Sequence, residues 1–307
     1  MINRKLAGAQ LPAWLNQAVL VYGPRKAGTT LFQNLLDGSE ELLAYPAELK
    51  LKYFARHPAK AGDIAAYCKK SRIASVNSSR LDAAAYKNLW AEAVAERQVS
   101  SFGAFIRFDA WAVQRSLRGP SVEPRMWCAK EVGGPTNTIL SMWRNMFPEG
   151  KALFIVRDPL RVTRAVLNDR RRKNIRLPLR QIIWQTLDPM QVVAAQAKYL
   201  EDSYVHILAY EDLVNDPAET MARVAAFLGV PYSPIFETPT IFGEPQVVRT
   251  SSRNTTEVFA SRKSWTDGLT AREKRIVSWT SRIAQLHPRY HLDYRNLRAR
   301  IGQIPAA

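Results

Sequence analysis

Between Ala18 and Gly38 the chain reads AVLVYGPRKAGTTLFQNLLDG: an apolar run, a glycine-bounded basic loop and an amphipathic run in immediate succession. Ala18 to Tyr22 is β-branched and aromatic and stops at glycine, the pattern of a strand buried on both faces. From Thr29 onward Leu31, Phe32, Leu35 and Leu36 recur at helical spacing, and Asp37-Gly38 ends the run. A strand delivered through a tight loop into a helix belongs to a parallel sheet, because parallel neighbours need a crossover. The backbone N–H groups between Gly23 and Thr30 can cradle an anion at the positive end of that helix.

The same alternation recurs downstream. Ala152 to Val156 (ALFIV) predicts a second buried strand, followed by Arg157, with Asp158 and Pro159 as N-cap and first helical residue. Tyr204 to Tyr210 (YVHILAY) predicts a third. Asp216-Pro217 opens a helix that runs to Leu228 and closes at Gly229. Thr270 and Glu273 form a capping-box pattern ahead of a helix over Ala271 to Leu286. Residues 59–119 are Ala-rich and read as a helical insertion covering one side of the sheet. There is no internal repeat and no low-complexity linker, so residues 1–307 are expected to form one domain. Ligands of such sheets sit beyond the carboxyl ends of the strands, where Gly23 and Arg157 both fall.

The loop glycines have the spacing of the nucleotide-binding P-loop, G-x-x-x-x-G-K-[ST]. The fold class expected is therefore α/β, a P-loop-type parallel sheet with helices on both faces and a helical insertion. Two details depart from the metal-dependent version. Thr29 stands at the lysine position, with the lysine moved into the loop as Lys26, and Arg157 follows the strand that would offer a Mg²⁺-holding acid. Cations in place of a metal suit a donor whose transferred group carries less charge than a phosphoryl group, such as a phosphosulfate.

Charge is the anomaly of composition. Forty-four Lys and Arg against 27 Asp and Glu leave +17, which favours an anionic partner. No apolar run approaches the ~20 residues that span a bilayer, and Met1 to Pro12 lacks the apolar core of a signal peptide. A cytoplasmic location is expected. Cys68 and Cys128 lack metal-ligand spacing and read as small buried hydrophobes.

PRKAGTTLFQNLLDGSEELLAYPAEL resembles the 5′-phosphosulfate loop of sulfotransferases that use 3′-phosphoadenosine 5′-phosphosulfate (PAPS), including their bacterial and carbohydrate-acting branches. FPEGKALFIVRDPLRV resembles their second hallmark, whose arginine binds the donor's 3′-phosphate, a role that falls on Arg157. AYEDLVNDPAETMARVAAFLGV is similar to the family's YEDL segment and implies Tyr210 beside the adenine. WCAKEVGGPTN resembles a lysine-bearing segment and implies Lys130 on the acceptor side. RTSSRN with SRKSWTDGLTAREK is similar to the segment that closes over the nucleotide. These pieces lie in family order across most of residues 18–290. The resemblance implies transfer of a sulfuryl group from PAPS to a hydroxyl of a carbohydrate-type acceptor, a polysaccharide or glycolipid, with no metal required. One position departs: the usual serine eight residues after the hallmark arginine is Ala165 here. Arg161, Arg164 or Asn168 on the same helix face, or Ser251 or Ser252, are the candidates to replace its contact with the 3′-phosphate.

On this reading Lys26 holds charge developing on the leaving phosphate, helped by Arg25 and the loop amides at Ala27, Gly28, Thr29 and Thr30. Glu48 is the first candidate general base, with Lys50 at that place in a looser alignment and Glu131 in reserve. His57, His206, His287 and His291 are not at recognised base positions, and His206 reads as a core residue. The run Arg161, Arg164, Arg170, Arg171, Arg172, Lys173, Arg176 and Arg180, opposed by Asp169, is either a solvated helix face or a site for an anionic acceptor. Acidic glycan, glycolipid and peripheral membrane contact are the partners it admits. A P-loop kinase or NTPase is the alternative enzyme class. A nucleic-acid binder rests on charge alone, since zinc-finger spacing and aromatic RNA-binding signatures are missing.

Overall fold

AVLVYG at Ala18–Gly23 forms β1, buried at every position. It lies at the centre of a five-stranded sheet with β2 (Leu42–Glu48), β3 (Met126–Val132), β4 (Lys151–Val156) and β5 (Val205–Ala209), in the order β2-β3-β1-β4-β5. Every pairing in it is parallel. The computed structural model describes residues 11–60, 63, 65–66, 73, 76, 78–95, 101–118, 123–245, 248–249, 254–255, 258 and 263–303. Its principal helices are α1 (Thr29–Leu36), α2 (Leu51–Arg56), α3 (Ala83–Ala95), α4 (Phe102–Arg115), α5 (Thr136–Met146), α6 (Pro159–Arg172), α7 (Leu179–Gln196), α8 (Tyr210–Asn215), α9 (Pro217–Leu228), α10 (Ala271–Gln285) and α11 (Tyr294–Gln303).

Side chains alternate across each strand, so a sheet covered on both faces needs apolar residues at every position. Leu20, Tyr22, Trp127, Ala129, Phe154 and Val156 point into one core, closed by α4, α5 and α7. Val19, Val21, Cys128, Leu153 and Ile155 point into the other, closed by α1, α6 and α9. The two long helices described between β2 and β3, α3 and α4, lie over the first face, as the Ala-rich insertion implied. Buried Asp109 on α4 fastens them to the sheet. Its carboxylate accepts from the hydroxyls of Tyr45 on β2 and Tyr86 on α3, and from Trp90 Nε1 at 2.9 Å.

The helix punctuation follows the sequence. Asp158 caps α6 by accepting from the N–H of Leu160 (2.8 Å) and Arg161 (3.3 Å). Asp216 caps α9 through Glu219 N–H at 3.1 Å, and the capping box of Thr270 and Glu273 opens α10. Pro189 interrupts α7 and cannot donate to Gln185 C=O one turn back; the Thr163 hydroxyl lies 3.3 Å from that carbonyl.

Three expectations need correction. The third strand ends at Ala209, and Tyr210 is the first residue of α8. Glu48 terminates β2, a strand that periodicity did not reveal. Lys130 and Glu131 lie within β3, a strand that was not expected, which pairs with β1 on the side opposite the strand followed by Arg157.

Candidate active site

β1 delivers the loop at the carboxyl edge of the sheet. Gly23 is required there by close approach: a Cβ would stand 2.5 Å from Ile155 C=O on β4. Within the loop Ala27 N–H donates to Pro24 C=O at 3.0 Å, and Lys26 takes a left-handed conformation with φ +66°. Such a conformation in a non-glycine residue costs of order 1 kcal/mol and tends to collect at functional sites. Gly28 has φ +106°, and a Cβ on it would lie 2.5 Å from the Tyr210 ring. Arg157, buried beside this ring, sits with its guanidinium 3.9 Å from the ring centroid. Its Nη1 donates to Lys26 C=O at 2.8 Å. Loop, arginine and tyrosine therefore form one packed unit, with Ala27 and Thr29 buried and Arg25 and Thr30 exposed.

Two buried donors next to this unit have no hydrogen-bond partner among the described residues, Nε of Arg157 and Nε of Arg164. An unpartnered buried N–H is costly unless a ligand satisfies it. The side chains named as substitutes at Ala165 are drawn elsewhere. Arg164 Nη1 donates to Ser264 C=O at 2.8 Å, Asn168 Nδ2 reaches Asp267 C=O at 3.4 Å, and Arg161 stands 4.0 Å from Asp158. Ser251 and Ser252 lie outside the described residues.

Sequence reasoning missed the partner of Lys26. Its Nζ lies 3.2 Å from Asp169 on α6, which also pairs with Arg172 (3.2 Å) and Lys173 (3.1 Å). Burial pushes the Asp169 carboxyl up, but Lys173 and Lys26 outweigh it and hold the group below the usual carboxylate range. The one signal available was that Asp169 is the lone acid in a run of cations.

A second cluster sits on the far side of β1. Gly133, just beyond β3, donates its N–H to Gly23 C=O at 2.9 Å and so ties the two clusters together. Glu48, paired in register with Lys130, faces Lys50 at 2.7 Å and Lys52 at 3.7 Å. Burial raises its pKa, yet Lys50, then Lys52 and Lys130, leave it lowered overall. Burial brings Lys130 down to about 8 against the opposing pull of Glu48. Asp188 on α7 gave no sequence signal. Burial raises its carboxyl pKa overall, against the smaller downward pull of Lys52, Arg56 and Arg25. The helix α7 thus brings an acid to the rim shared by the loop and α2.

Glu131 belongs to the framework. It is fully buried and accepts from Leu51 N–H, the first of α2, at 2.5 Å. Burial, with Glu48 adding, raises its pKa from 4.5 to about 7. The folded protein therefore keeps a proton that the unfolded chain releases. The resulting stability is full below pH 4.5 and lost as pH rises through about 7. Glu131→Gln keeps an acceptor for Leu51 and cannot ionise. In denaturant titrations it should match the parent at pH 5 and exceed it at pH 8 by roughly 2–3 kcal/mol. A parent that gains stability between those pH values would show the carboxylate to be charged in the fold.

Among the described residues no group of three or more His, Cys, Asp or Glu is placed to hold a metal ion. What the edge of the sheet offers is an anion cradle beside a lysine–carboxylate cluster. The sulfotransferase family profile matches residues 18–234. Among solved structures, the sulfotransferase domain from the curacin biosynthetic pathway is similar at 20% identity and TM-score 0.55, over 86% of this chain and 97% of that one. The sulfotransferase domain from the Synechococcus PCC 7002 olefin synthase is similar at 17% identity and TM-score 0.53, over 88% and 97%. No curated protein matches by sequence. The shared fold, and a family profile spanning more than half of the residues, lead to one assignment: the chain belongs to the sulfotransferase family, the PAPS-dependent enzymes of sulfuryl transfer.

Proposed function

We propose that this enzyme transfers the sulfuryl group of PAPS to a hydroxyl of a carbohydrate-type acceptor, with the loop cluster holding the donor and the β2–β3 cluster serving the acceptor. The observation that carries the donor side is buried Arg157, fixed by Lys26 C=O and the Tyr210 ring, with its Nε left for an anion. Arg157 takes the 3′-phosphate, with Arg164 as its neighbour. Tyr210 walls the nucleotide side, and Ser251 and Ser252 are assigned to the closing segment. The donor supplies an activated S–O bond whose leaving group is a phosphate. Arg25, Lys26 and the amides of Gly28, Thr29 and Thr30 hold that phosphate as its charge grows, while Ala27, whose N–H is bonded to Pro24 C=O, shapes the loop. Glu48 takes the acceptor proton as the new S–O bond forms. Lys130 steadies the acceptor oxygen and keeps Glu48 ionised.

The lining supports the acceptor class. Glu48, Lys50, Lys52, Lys130 and Asp188 present charged hydrogen-bonding groups, which suit a polyhydroxylated ring; a sterol-like acceptor needs mostly apolar walls. Calorimetric titration tests the donor side. 3′-Phosphoadenosine 5′-phosphate (PAP) should bind without Mg²⁺ and at least about tenfold tighter than ADP, the scale of a charge-assisted hydrogen bond. Arg157→Ala should erase the difference. Equal affinities in the parent, or an absolute Mg²⁺ requirement, overturn the assignment. Rates with a soluble glycan and with an apolar alcohol separate the two acceptor classes.

A further inference from the structure

The outward side of α10 carries more apolar surface than a solvated helix needs. Trp279 is 68% exposed, Ile283 58% and Leu286, just past the helix, 85%. Spaced four and three residues apart, they form one stripe about 10 Å long. The opposite side is committed to the protein, with Val277 packed among Leu167, Ile182 and Leu269. Single exposed apolar residues are ordinary, but a contiguous stripe of three large ones marks a contact surface.

Charge identifies what the stripe meets. From Ala271 to Tyr290 the chain carries Arg272, Lys274, Arg275, Arg282 and Arg289 against Glu273 alone. The Glu273 carboxylate is already spent, accepting from Arg171 of α6 and from the Thr270 N–H of the helix cap. Arg272 also borders a groove of ≈ 560 Å³ shared with Arg171 and Arg176, floored by Leu167, Leu177 and Ile182. Ile175 (42%), in the cationic turn between α6 and α7, and Leu179 (48%), the first residue of α7, are exposed. Arg171 and Arg176 of the run noted in the sequence thus meet α10 at this groove, and the apolar stripe begins about 10 Å further along the same helix, at Trp279. A second copy of the chain would bring like charges together, whereas subunit interfaces are depleted of charge at their centres. Tryptophan and aliphatic side chains rimmed by arginine are the composition of a helix lying in a headgroup layer.

We infer that the α10 stripe and the adjoining α6–α7 turn dock this enzyme on an anionic lipid bilayer, with Trp279, Ile283 and Leu286 entering the headgroup layer. The docking surface does not depend on the acceptor assignment. The probes are vesicles of phosphatidylcholine alone and vesicles with about a third phosphatidylglycerol, at low and high salt. The parent should sediment with the anionic vesicles at least about tenfold more strongly than with the neutral ones. Trp279→Ser with Leu286→Ser should cut that binding by roughly tenfold or more. Arg275→Ser with Arg282→Ser should cut it by roughly thirty-fold, from about 1 kcal/mol per cation. All these residues are exposed, so PAP affinity should stay unchanged and reports that each variant is folded. Equal sedimentation with both vesicle types overturns the inference. So does a dimer in solution that the Trp279→Ser, Leu286→Ser variant dissociates while vesicle binding is absent.

Discussion

Replacing Lys26 by Ala should lower turnover by roughly 10²–10³, the scale for removing one preorganised charge from a leaving group, with a much smaller loss of PAP affinity. The cause is differential. Charge on the leaving phosphate is greatest in the transition state, so a cation placed there contributes more to rate than to binding. The fold should tolerate the change. Ala and Lys carry the same left-handed penalty at φ +66°, and the lost pair with Asp169 involves a Lys side chain 37% exposed, which limits its value to at most about 1 kcal/mol. Single-turnover rates with saturating donor, beside calorimetric PAP binding, separate the two quantities. Lys26→Arg should recover part of the rate. Near-normal turnover in Lys26→Ala would remove this side chain from the mechanism.

Glu48→Gln should cost about 10²–10⁴ in turnover, the usual range for a lost general base, while PAP binds as before. Glu48 closes the edge strand β2, and β3 separates it from the loop strand. The surrounding lysines also set the pH profile. With its pKa lowered from 4.5, Glu48 is ionised throughout the neutral range, so the acid limb should lie below that value. Lys130 loses its proton near pH 8, and if its charge serves the acceptor the basic limb belongs there. Because the Glu48 charge raises the Lys130 pKa, Glu48→Gln should move the basic limb to lower pH in the residual activity. Glu131→Gln, buried beneath α2, should leave the rate nearly intact. A reversal of the two outcomes assigns the base to Glu131. Full activity in both gives the proton to another group, with Asp188 the next carboxylate at the rim.

What the sequence made legible is local. The succession from Ala18 to Leu36, the strand ahead of Arg157 and the caps at Asp158, Asp216 and Thr270 each depend on neighbours within a few residues. β2 escaped because Pro46 interrupts LLAYPAE. The structure tolerates it on an edge strand whose register shifts between Tyr45 and Glu48. β3 escaped because Lys130 and Glu131 break the apolar run of MWCAKEV, although both are buried. The ties that shape the site join distant segments: Lys26 to Asp169, Arg157 to Lys26 C=O, and Glu131 to Leu51 N–H. Spacing carries no trace of them. Tyr210 was placed near the nucleotide by family likeness, but its contact with Gly28 follows from packing that brings α8 against the loop.

On the proposed reading, the pairing of Lys26 with Asp169 gives the loop an anion of its own. A small monovalent ion must displace a tethered carboxylate to enter, and tethering gives that carboxylate a high effective concentration. A donor with phosphate and sulfate groups engages the loop, Arg157 and its neighbours together, and overcomes the competitor in one step. The displaced Asp169 keeps Arg172 and Lys173 as counter-ions, so it is not stranded. Chloride and inorganic phosphate meet a threshold at this loop that a multiply anchored ligand crosses.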